Sequence, residues 1–139
     1  MKSEKEALTP RLYRLIDANL NRLREGIRVV EDICRYIYDH KELASQLKSL
    51  RHLAKLDDTL FIDYRDIASD VLKESSETEM ERKDLHSLIK ANMKRAQESA
   101  RVLEESFKLV DTKIAERFKK IRYSLYETEL NLQKNLRSR

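Results

Sequence analysis

The feature that most constrains this chain is an internal repeat. Residues 17–31, DANLNRLREGIRVVE, return as residues 90–104, KANMKRAQESARVLE, at an offset of 73. Packing alone preserves the apolar positions of a duplicated helix and lets its polar positions drift, so matching polar side chains indicate that more than a core is repeated. Most of the seven identical positions are polar or charged: Ala18/Ala91, Asn19/Asn92, Arg22/Arg95, Glu25/Glu98, Arg28/Arg101, Val29/Val102 and Glu31/Glu104.

The repeat continues beyond this segment at a different offset. At an offset of 71, the pairs Leu43/Ile114, Ala44/Ala115, Leu47/Phe118, Leu50/Ile121 and Arg51/Arg122 follow. The repeated unit is therefore a pair of helices whose internal turn is two residues shorter in the second copy. Such a duplication predicts an internal pseudo-twofold axis.

Composition favours helices. The 139 residues fit one domain and include one Gly and one Pro, so little turn chemistry is present for hairpins, and 39% of the residues are charged. We expect an all-α fold, an elongated antiparallel four-helix bundle made of two pseudo-twofold-related hairpins. The predicted domain covers 9–139, with repeat units 10–60 and 78–137 and a mobile connection over 61–77.

The charges and the single cysteine limit the classes of partner. The net charge of +4 comes from acidic and basic residues mixed along the chain, so we expect no nucleic-acid partner. No apolar run approaches the roughly 18 residues of a membrane span, and no signal-peptide core is visible. We therefore expect a cytoplasmic protein without a membrane partner, in which Cys34 is a buried reduced thiol.

Capping signals predict where the helices begin. Thr9-Pro10 is a typical start for the first helix, either Ser76-x-x-Glu79 or Thr78-x-x-Glu81 for the third, and Asp111 for the fourth. The apolar stripe of period 3.6 then predicts helices over about 10–39, 41–60, 78–110 and 112–136.

One strip of residues borders the predicted core in each half. On a helical wheel, Asn19, Arg22, Gly26 and Val29 form a contiguous strip at the edge of the apolar stripe, and Asn92, Arg95, Ser99 and Val102 form its twin. A helix-interior Gly costs about 1 kcal/mol relative to Ala. Gly26 and the small Ser99 therefore indicate a close approach, either of another helix or of a ligand.

Four arginines lie beside the predicted seams between helices. Arg51 and Arg122 on the partner helices join Arg22 and Arg95 in two pseudo-symmetric pairs. Planar guanidinium donors beside Asn amides suit phosphate or carboxylate recognition. The alternative is that these arginines form structural ion pairs with glutamates of the repeat: Glu25, Glu31, Glu98 or Glu104.

The remaining repeated charges are expected to point further outward. They read as a solvated salt-bridge ladder or as a contact in a homodimer: Glu25, Arg28, Glu31, Asp32, Glu98, Arg101, Glu104 and Glu105. The histidines lack zinc-binding spacing, so no metal ligands are assigned. Asp66 and Asp70 in the connection are candidates to orient Mg²⁺ or an attacking hydroxyl, or else are ordinary loop carboxylates.

Several long motifs together resemble a known family. They are Ile16–Asp32, Leu50–Leu53, Ala91–Glu105 and Ile121–Tyr126. In this order they look like the helical domain joined to the amino terminus of some bacterial thiamine-phosphate synthases. That domain in turn resembles a free-standing, non-ribokinase hydroxymethylpyrimidine-phosphate kinase. One departure is Asp70-Val71-Leu72, where the family carries Asp-Val-Gly.

The resemblance implies a reaction in thiamine biosynthesis. It implies ATP-dependent phosphorylation of 4-amino-5-hydroxymethyl-2-methylpyrimidine phosphate to the diphosphate, with ATP and Mg²⁺ as cofactors and thiamine-phosphate synthase as a partner. A helical chain with one Gly cannot form the eight-stranded synthase barrel. A non-catalytic binding or regulatory module that assembles with the synthase is the alternative.

Under the kinase interpretation, the two sets of repeated residues are expected to bind different ligands. We expect Asn19, Arg22 and Arg51 to clamp one phosphate-bearing ligand, and the second set, Asn92, Arg95 and Arg122, to clamp the other. Which set binds ATP is left open.

Overall fold

A computed structural model describes residues 4–56, 65–74 and 81–136, with side chains from Thr9 onward. The described residues form four α-helices: α1 (Glu4–Asp32), α2 (Lys41–Leu53), α3 (Leu85–Phe107) and α4 (Thr112–Asn135). In the part of the chain that the structure describes there is no strand. The predicted all-α four-helix bundle is confirmed.

The core lies between two helical hairpins. α1 packs against α2 and α3, α4 packs against α3 and α2, and the apolar stripe of each helix points into the space they enclose. Repeated apolar pairs such as Leu47/Phe118 and Leu50/Ile121 are buried in both halves. Burying one such side chain stabilises the fold by about 1.5–3 kcal/mol.

The sizes of the core residues differ between α1 and α3. Where α1 carries Leu23 and Ile27, the repeat places Ala96 and Ala100 in α3, and all four are fully buried. The smaller α3 residues leave room for the larger α1 residues, so the two helices can pack closely. The second hairpin gains apolar volume near its turn, where the rings of Phe107 and Phe118 stack at 5.5 Å.

The turn of the first hairpin explains the change of repeat offset. α1 passes into a π-helical turn over Ile33–Ile37, and Asp39 follows in the left-handed region at φ 51°. A short polar side chain is tolerated in that region, as at many helix ends. The second hairpin turns within Lys108–Val110 instead. The two additional residues of the first half are therefore taken up between α1 and α2.

Two of the predicted helix starts are wrong. α1 already begins at Glu4 and runs through Pro10, whose fixed φ is compatible with helical backbone. α3 begins only at Leu85, because the side chain of Asp84 accepts a hydrogen bond from the Ser87 amide and caps the helix there. Residues 81–83 are irregular, and both predicted caps, Ser76 and Thr78, lie outside the described residues.

The other helix ends agree better with the prediction. The Asp111 side chain accepts hydrogen bonds from the amides of Lys113 and Ile114, so the predicted cap of α4 is confirmed. The ring of His40 caps α2 by accepting from the Leu43 amide through Nδ1. α2 ends at Leu53, earlier than predicted, and residues 57–64 lie outside the described part.

The described part of the connection is held against α1. Arg65 donates from Nε and Nη2 to the two carboxylate oxygens of the buried Asp17 at 2.7 and 2.8 Å. Arg14 donates to the carbonyl oxygen of Asp66 at 3.0 Å. The predicted mobility of residues 61–77 stays a prediction, since the described residues of that range are 65–74.

Gly26 marks the closest approach of α1 to α3. A Cβ at this position would lie 3.0 Å from the carbonyl oxygen of Asn92 and 3.5 Å from the Cβ of Ala96. The obstructing atom belongs to backbone, which cannot rotate away as a side chain can. The structure thus provides the helix crossing that the sequence offered as one explanation of this glycine.

We expect Gly26→Leu to separate α1 from α3 and to lower the free energy of unfolding by about 2–3 kcal/mol, as overpacking typically does. Gly26→Ala should cost less, because the higher helix propensity of Ala returns about 1 kcal/mol. Urea denaturation measures both. Glu25→Leu, one residue away on the exposed face, is the matched control, and full stability of Gly26→Leu would contradict the crossing.

Candidate functional site

Two buried ion pairs recur at equivalent positions in the two halves. Arg51 of α2 donates to both carboxylate oxygens of Glu31 in α1, at 2.7 and 3.2 Å. Arg122 of α4 donates from Nη2 to both oxygens of Glu104 in α3, at 3.1 and 3.3 Å. Glu31 is 3% exposed and Glu104 is 4% exposed. Each pair therefore ties the second helix of a hairpin to its first helix.

These contacts answer the question left open for Arg51 and Arg122. The hydrogen bond to Glu31 raises the pKa of Arg51, and contacts with Tyr126 and then Glu104 raise the pKa of Arg122, so both stay charged. Both guanidinium groups take part in structural ion pairs, the alternative considered from the sequence. The expectation that Glu31 and Glu104 point outward is wrong, because each carboxylate turns inward to an arginine of the neighbouring helix.

Arg22 and Arg95 have a different environment. Both are exposed, and within the described ranges neither forms an ion pair. Gly26 lies opposite Asn92 and Ala96, so this register places Arg22 and Arg95 about 5 Å apart along the bundle axis, at 1.5 Å per residue. Arg22 and Arg95 thus lie at similar heights along α1 and α3, and both side chains are exposed.

The asparagines of the two strips are buried beside these arginines. Asn19 donates from Nδ2 to the carbonyl oxygen of Leu15 at 3.0 Å, and Asn92 donates in the same way to Leu88 at 2.9 Å. One amide hydrogen of each side chain is therefore used inside its own helix. We refer to Asn19, Arg22, Gly26, Val29 and their equivalents Asn92, Arg95, Ser99, Val102 as the central face.

The predicted clamps do not assemble as proposed from the sequence. Arg51 is bound at Glu31, which lies nine residues beyond Arg22 and therefore roughly 13 Å along α1. The structure instead groups Arg22 of one predicted clamp with Arg95 of the other. Arg51 and Arg122 remain at Glu31 and Glu104, away from the centre.

Asp66 and Asp70 organise the connection locally. Asp66 accepts a hydrogen bond from the Ser69 amide at 3.0 Å, and Asp70 accepts one from the Leu72 amide at 2.9 Å. The hydroxyl and amide of Ser69 hold the pKa of Asp66 below its ordinary value. Both carboxylates thus stabilise turns, and among the described residues no group of three His, Cys, Asp or Glu side chains could hold a metal ion.

A cavity of about 730 Å³ opens between α3 and α4 at one end of the bundle. Its apolar lining includes Ile89, Met93 and Leu132, and Tyr38 contributes from the end of the first hairpin. The polar groups that line it include His86, Lys90 and Glu129. This cavity was not predicted from the sequence. One difference between the repeats does fall here, because Lys90 occupies the position of Asp17 and so has the opposite charge.

One carboxylate of this cavity is held from behind by a buried amide. Gln97 of α3 donates from Nε2 to Glu129 of α4 at 3.1 Å. Gln97 is 3% exposed, and its Oε1 atom has no hydrogen-bond partner. Glu129 is thereby fixed at the mouth of the groove between the two helices.

The fold and the central face define an all-α protein built from a duplicated helical hairpin with paired cationic positions. The model of the ThiD2 family matches residues 14–131, and the chain belongs to this family. The resemblance identified from the sequence motifs is confirmed. No solved structure gives a significant match, and none of the described helices is long and apolar enough to cross a membrane.

Curated relatives of this chain are longer proteins. The thiamine-phosphate synthase of Nostoc punctiforme is 40% identical over 132 residues, covering 94% of this chain and 38% of the relative. The thiamine-phosphate synthase of a Synechocystis species is 40% identical over 123 residues, covering 87% of this chain and 36% of the relative. The chain thus spans little more than a third of the length of these relatives.

Removal of a buried carboxylate should destabilise the bundle. We expect Glu31→Gln and Glu104→Gln each to lower the free energy of unfolding by about 3 kcal/mol, because an arginine is left without its counter-charge in a largely buried position. Urea denaturation monitored by circular dichroism measures the loss. Glu105→Gln, at an exposed neighbouring position, should change it by less than about 1 kcal/mol. Equal effects at the three positions would refute a special role of the buried pairs.

Cys34 should be unreactive in the folded protein. Burial raises the pKa of its thiol to about 11, so about one molecule in a thousand carries the thiolate at pH 8. We expect a colorimetric disulfide reagent to react only after urea unfolds the chain.

The raised pKa of Cys34 also makes the stability of the fold depend on pH. Its contribution to stability is fully present below the unfolded-state pKa, near 8.5, and is lost as the pH rises toward 11. Cys34→Ala should lack both effects.

Proposed function

We propose that this chain acts in thiamine biosynthesis and transfers the γ-phosphoryl group of ATP to 4-amino-5-hydroxymethyl-2-methylpyrimidine phosphate. Membership of the ThiD2 family and relatives named thiamine-phosphate synthase support the pathway. The observation that carries the proposal is the contrast among the repeated arginines. Arg51 and Arg122 are held in ion pairs, whereas Arg22 and Arg95 are exposed on the central face and form no ion pair with a described residue.

The central face suits phosphate groups for electrostatic reasons. Phosphoryl transfer requires little covalent chemistry from the protein and depends on positioning and charge neutralisation. A guanidinium offers a planar fork of donors that matches two oxygens of one phosphate. Two such groups about 5 Å apart along the axis can each hold one of two phosphate-bearing ligands. Under this proposal Arg22 and Arg95 bind phosphates, and Asn19 and Asn92 support the same surface.

The ion pairs have a supporting role in this proposal. Glu31 ties α2 to α1, and Glu104 ties α4 to α3. The close crossing at Gly26 positions α1, with Arg22, relative to α3, with Arg95. Arg51 and Arg122, assigned to the clamps from the sequence, would then act through the framework and not through a ligand.

Mg²⁺ fits this surface only as an ion brought in with ATP. Protein sites for nucleotide-bound Mg²⁺ often supply one or two carboxylates while phosphates and water complete the shell. Glu25 and Glu98 are exposed and follow Arg22 and Arg95 by three residues in each half. They are exposed carboxylates next to the central face that would hold the ion, which would neutralise charge on the transferred phosphoryl group. Asp66 and Asp70 remain candidates, although both are used in turns.

Truncation of the central arginines tests the proposal. We expect Arg22→Ala and Arg95→Ala to fold normally and each to lose affinity about 10- to 150-fold, because a charge-assisted hydrogen bond contributes roughly 1.5–3 kcal/mol. One variant should lose mainly ATP binding and the other mainly binding of the pyrimidine phosphate. Isothermal titration measures both affinities, and phosphorus NMR detects the diphosphate product.

Arg117→Ala is the matched control, since Arg117 is exposed on α4 away from the central face. It should leave binding and turnover unchanged. Normal binding by both central variants, with lowered melting temperatures, would show that Arg22 and Arg95 are structural. Binding without any diphosphate formation would refute the kinase activity.

One observation favours a second candidate function. Nearly two thirds of the length of each matched relative lies outside the region that this chain covers, and these relatives are named thiamine-phosphate synthases. A binding or regulatory module that assembles with such a synthase would also use an exposed cationic face. Size-exclusion chromatography of the chain mixed with a separate synthase, with Arg22→Ala and Arg95→Ala as variants, distinguishes this function from catalysis.

A further inference from the structure

The cavity between α3 and α4 lies beside a position where the two halves of the repeat differ in charge. On α1, the buried Asp17 receives the guanidinium of Arg65, from the connection, in a bidentate ion pair. At the repeat offset of 73, Asp17 corresponds to Lys90, which is exposed and lines the cavity. A buried, ion-paired carboxylate of the first half is therefore replaced in the second half by a cation beside an open volume.

The polar groups of the cavity are of two opposite kinds. Lys90 forms no ion pair within the described residues, and His86 lies one helical turn before it. Glu129 lines the other wall and is held by Gln97. Asp84, whose carboxylate accepts from the Ser87 amide and caps α3, and Gln133 complete the polar lining. Between them the lining is apolar, with Ile89, Met93 and Leu132. A ligand that matches all three features has an anionic group, a flat apolar body and an N–H donor for the carboxylate.

The volume favours a small molecule as the occupant. A cavity of about 730 Å³ lies in the range of about 300–1,000 Å³ that is typical of sites for small ligands. Such sites are mostly apolar and contain a few polar groups that fix orientation. Tyr38 is buried at the end of the groove, so it offers an aromatic surface at one wall.

This cavity is separate from the central face. Lys90 and Arg95 are five residues apart on α3, which places them about 140° apart around the helix at 100° per residue. Arg95 accordingly lies on the side next to α1, and Lys90 lies on the side next to α4. A ligand in the cavity and a phosphate at Arg95 would occupy different sides of the same helix.

We propose that the α3–α4 cavity is a binding site for an amino-substituted aromatic heterocycle that carries a phosphate. Lys90, with His86 beside it, binds the phosphate, Glu129 accepts hydrogen bonds from the exocyclic amino group, and the ring lies against the apolar lining. The ligand class follows from the lining, so the inference does not require phosphoryl transfer. ATP, the pyrimidine phosphate and thiamine phosphate all share this chemistry.

Isothermal titration of the full chain with each of these three compounds tests the site. We expect Lys90→Gln and Glu129→Gln each to weaken binding of the same compound by about 10- to 100-fold, because each removes a charge-assisted hydrogen bond. Lys94→Gln and Glu127→Gln are matched controls on the same two helices, with side chains that do not line the cavity. Both controls should bind with unchanged affinity.

The compound that binds more weakly to Lys90→Gln and Glu129→Gln than to the unchanged protein is the ligand of the cavity. The dephosphorylated pyrimidine should bind more weakly than its phosphate, and Lys90→Gln should remove this difference. Binding that depends on Arg22 and Arg95 but is unchanged in Lys90→Gln and Glu129→Gln would overturn the cavity site and leave the proposed kinase intact. Binding that depends on Lys90 and Glu129, without formation of the diphosphate, would support the cavity site and refute the proposed kinase activity. No binding of any of the three compounds would also overturn the inference.

Discussion

The close approach of α1 to α3 at Gly26 is the contact on which the rest of the structure depends. Because a Cβ at Gly26 would lie 3.0 Å from the carbonyl oxygen of Asn92, a larger residue at that point would push α1 and α3 apart. The relative axial position of the two helices at this contact determines how far apart Arg22 and Arg95 lie along the bundle. A wider crossing would allow the helices to slide, and the distance between the two guanidinium groups would no longer be determined.

The burial of Glu31 and Glu104 explains why identical residue types behave differently within the repeat. A carboxylate that leaves water loses several kcal/mol of solvation, which a well-placed arginine can offset. Arg51 and Arg122 are therefore committed to these carboxylates, and their charge is neutralised inside the bundle. Arg22 and Arg95 are exposed, and no carboxylate in the described part of the chain pairs with them. The duplication thus preserves one set of charges that holds the hairpins together and another that remains available.

Most of the fold could be predicted from the sequence, because the helical period, the repeat and the Asp111 cap depend on neighbouring residues. The burial of Glu31 was not predicted, although Glu31 falls about 120° from Asn19 on the helical wheel, beside the apolar stripe. A charged side chain at such an edge is expected to face solvent, and its inward position depends on the tertiary contact with Arg51. The start of α3 was missed because Asp84 competes with earlier capping signals. The cavity could not be predicted, since it depends on how α4 packs beside Lys90.

A duplicated bundle can distinguish two ligands only where its halves differ. The arginines of the central face are identical in the two halves, so they suit two groups of like chemistry, such as phosphates, without telling the rest of the ligands apart. Discrimination must come from positions where the repeat has diverged. Asp17 against Lys90 reverses a charge, and Gly26 against Ser99 adds a hydroxyl beside the same surface. Because Lys90 lines the α3–α4 cavity while the corresponding Asp17 is held in an ion pair by Arg65, this position carries the stronger asymmetry, and selectivity for the heterocycle is best sought there.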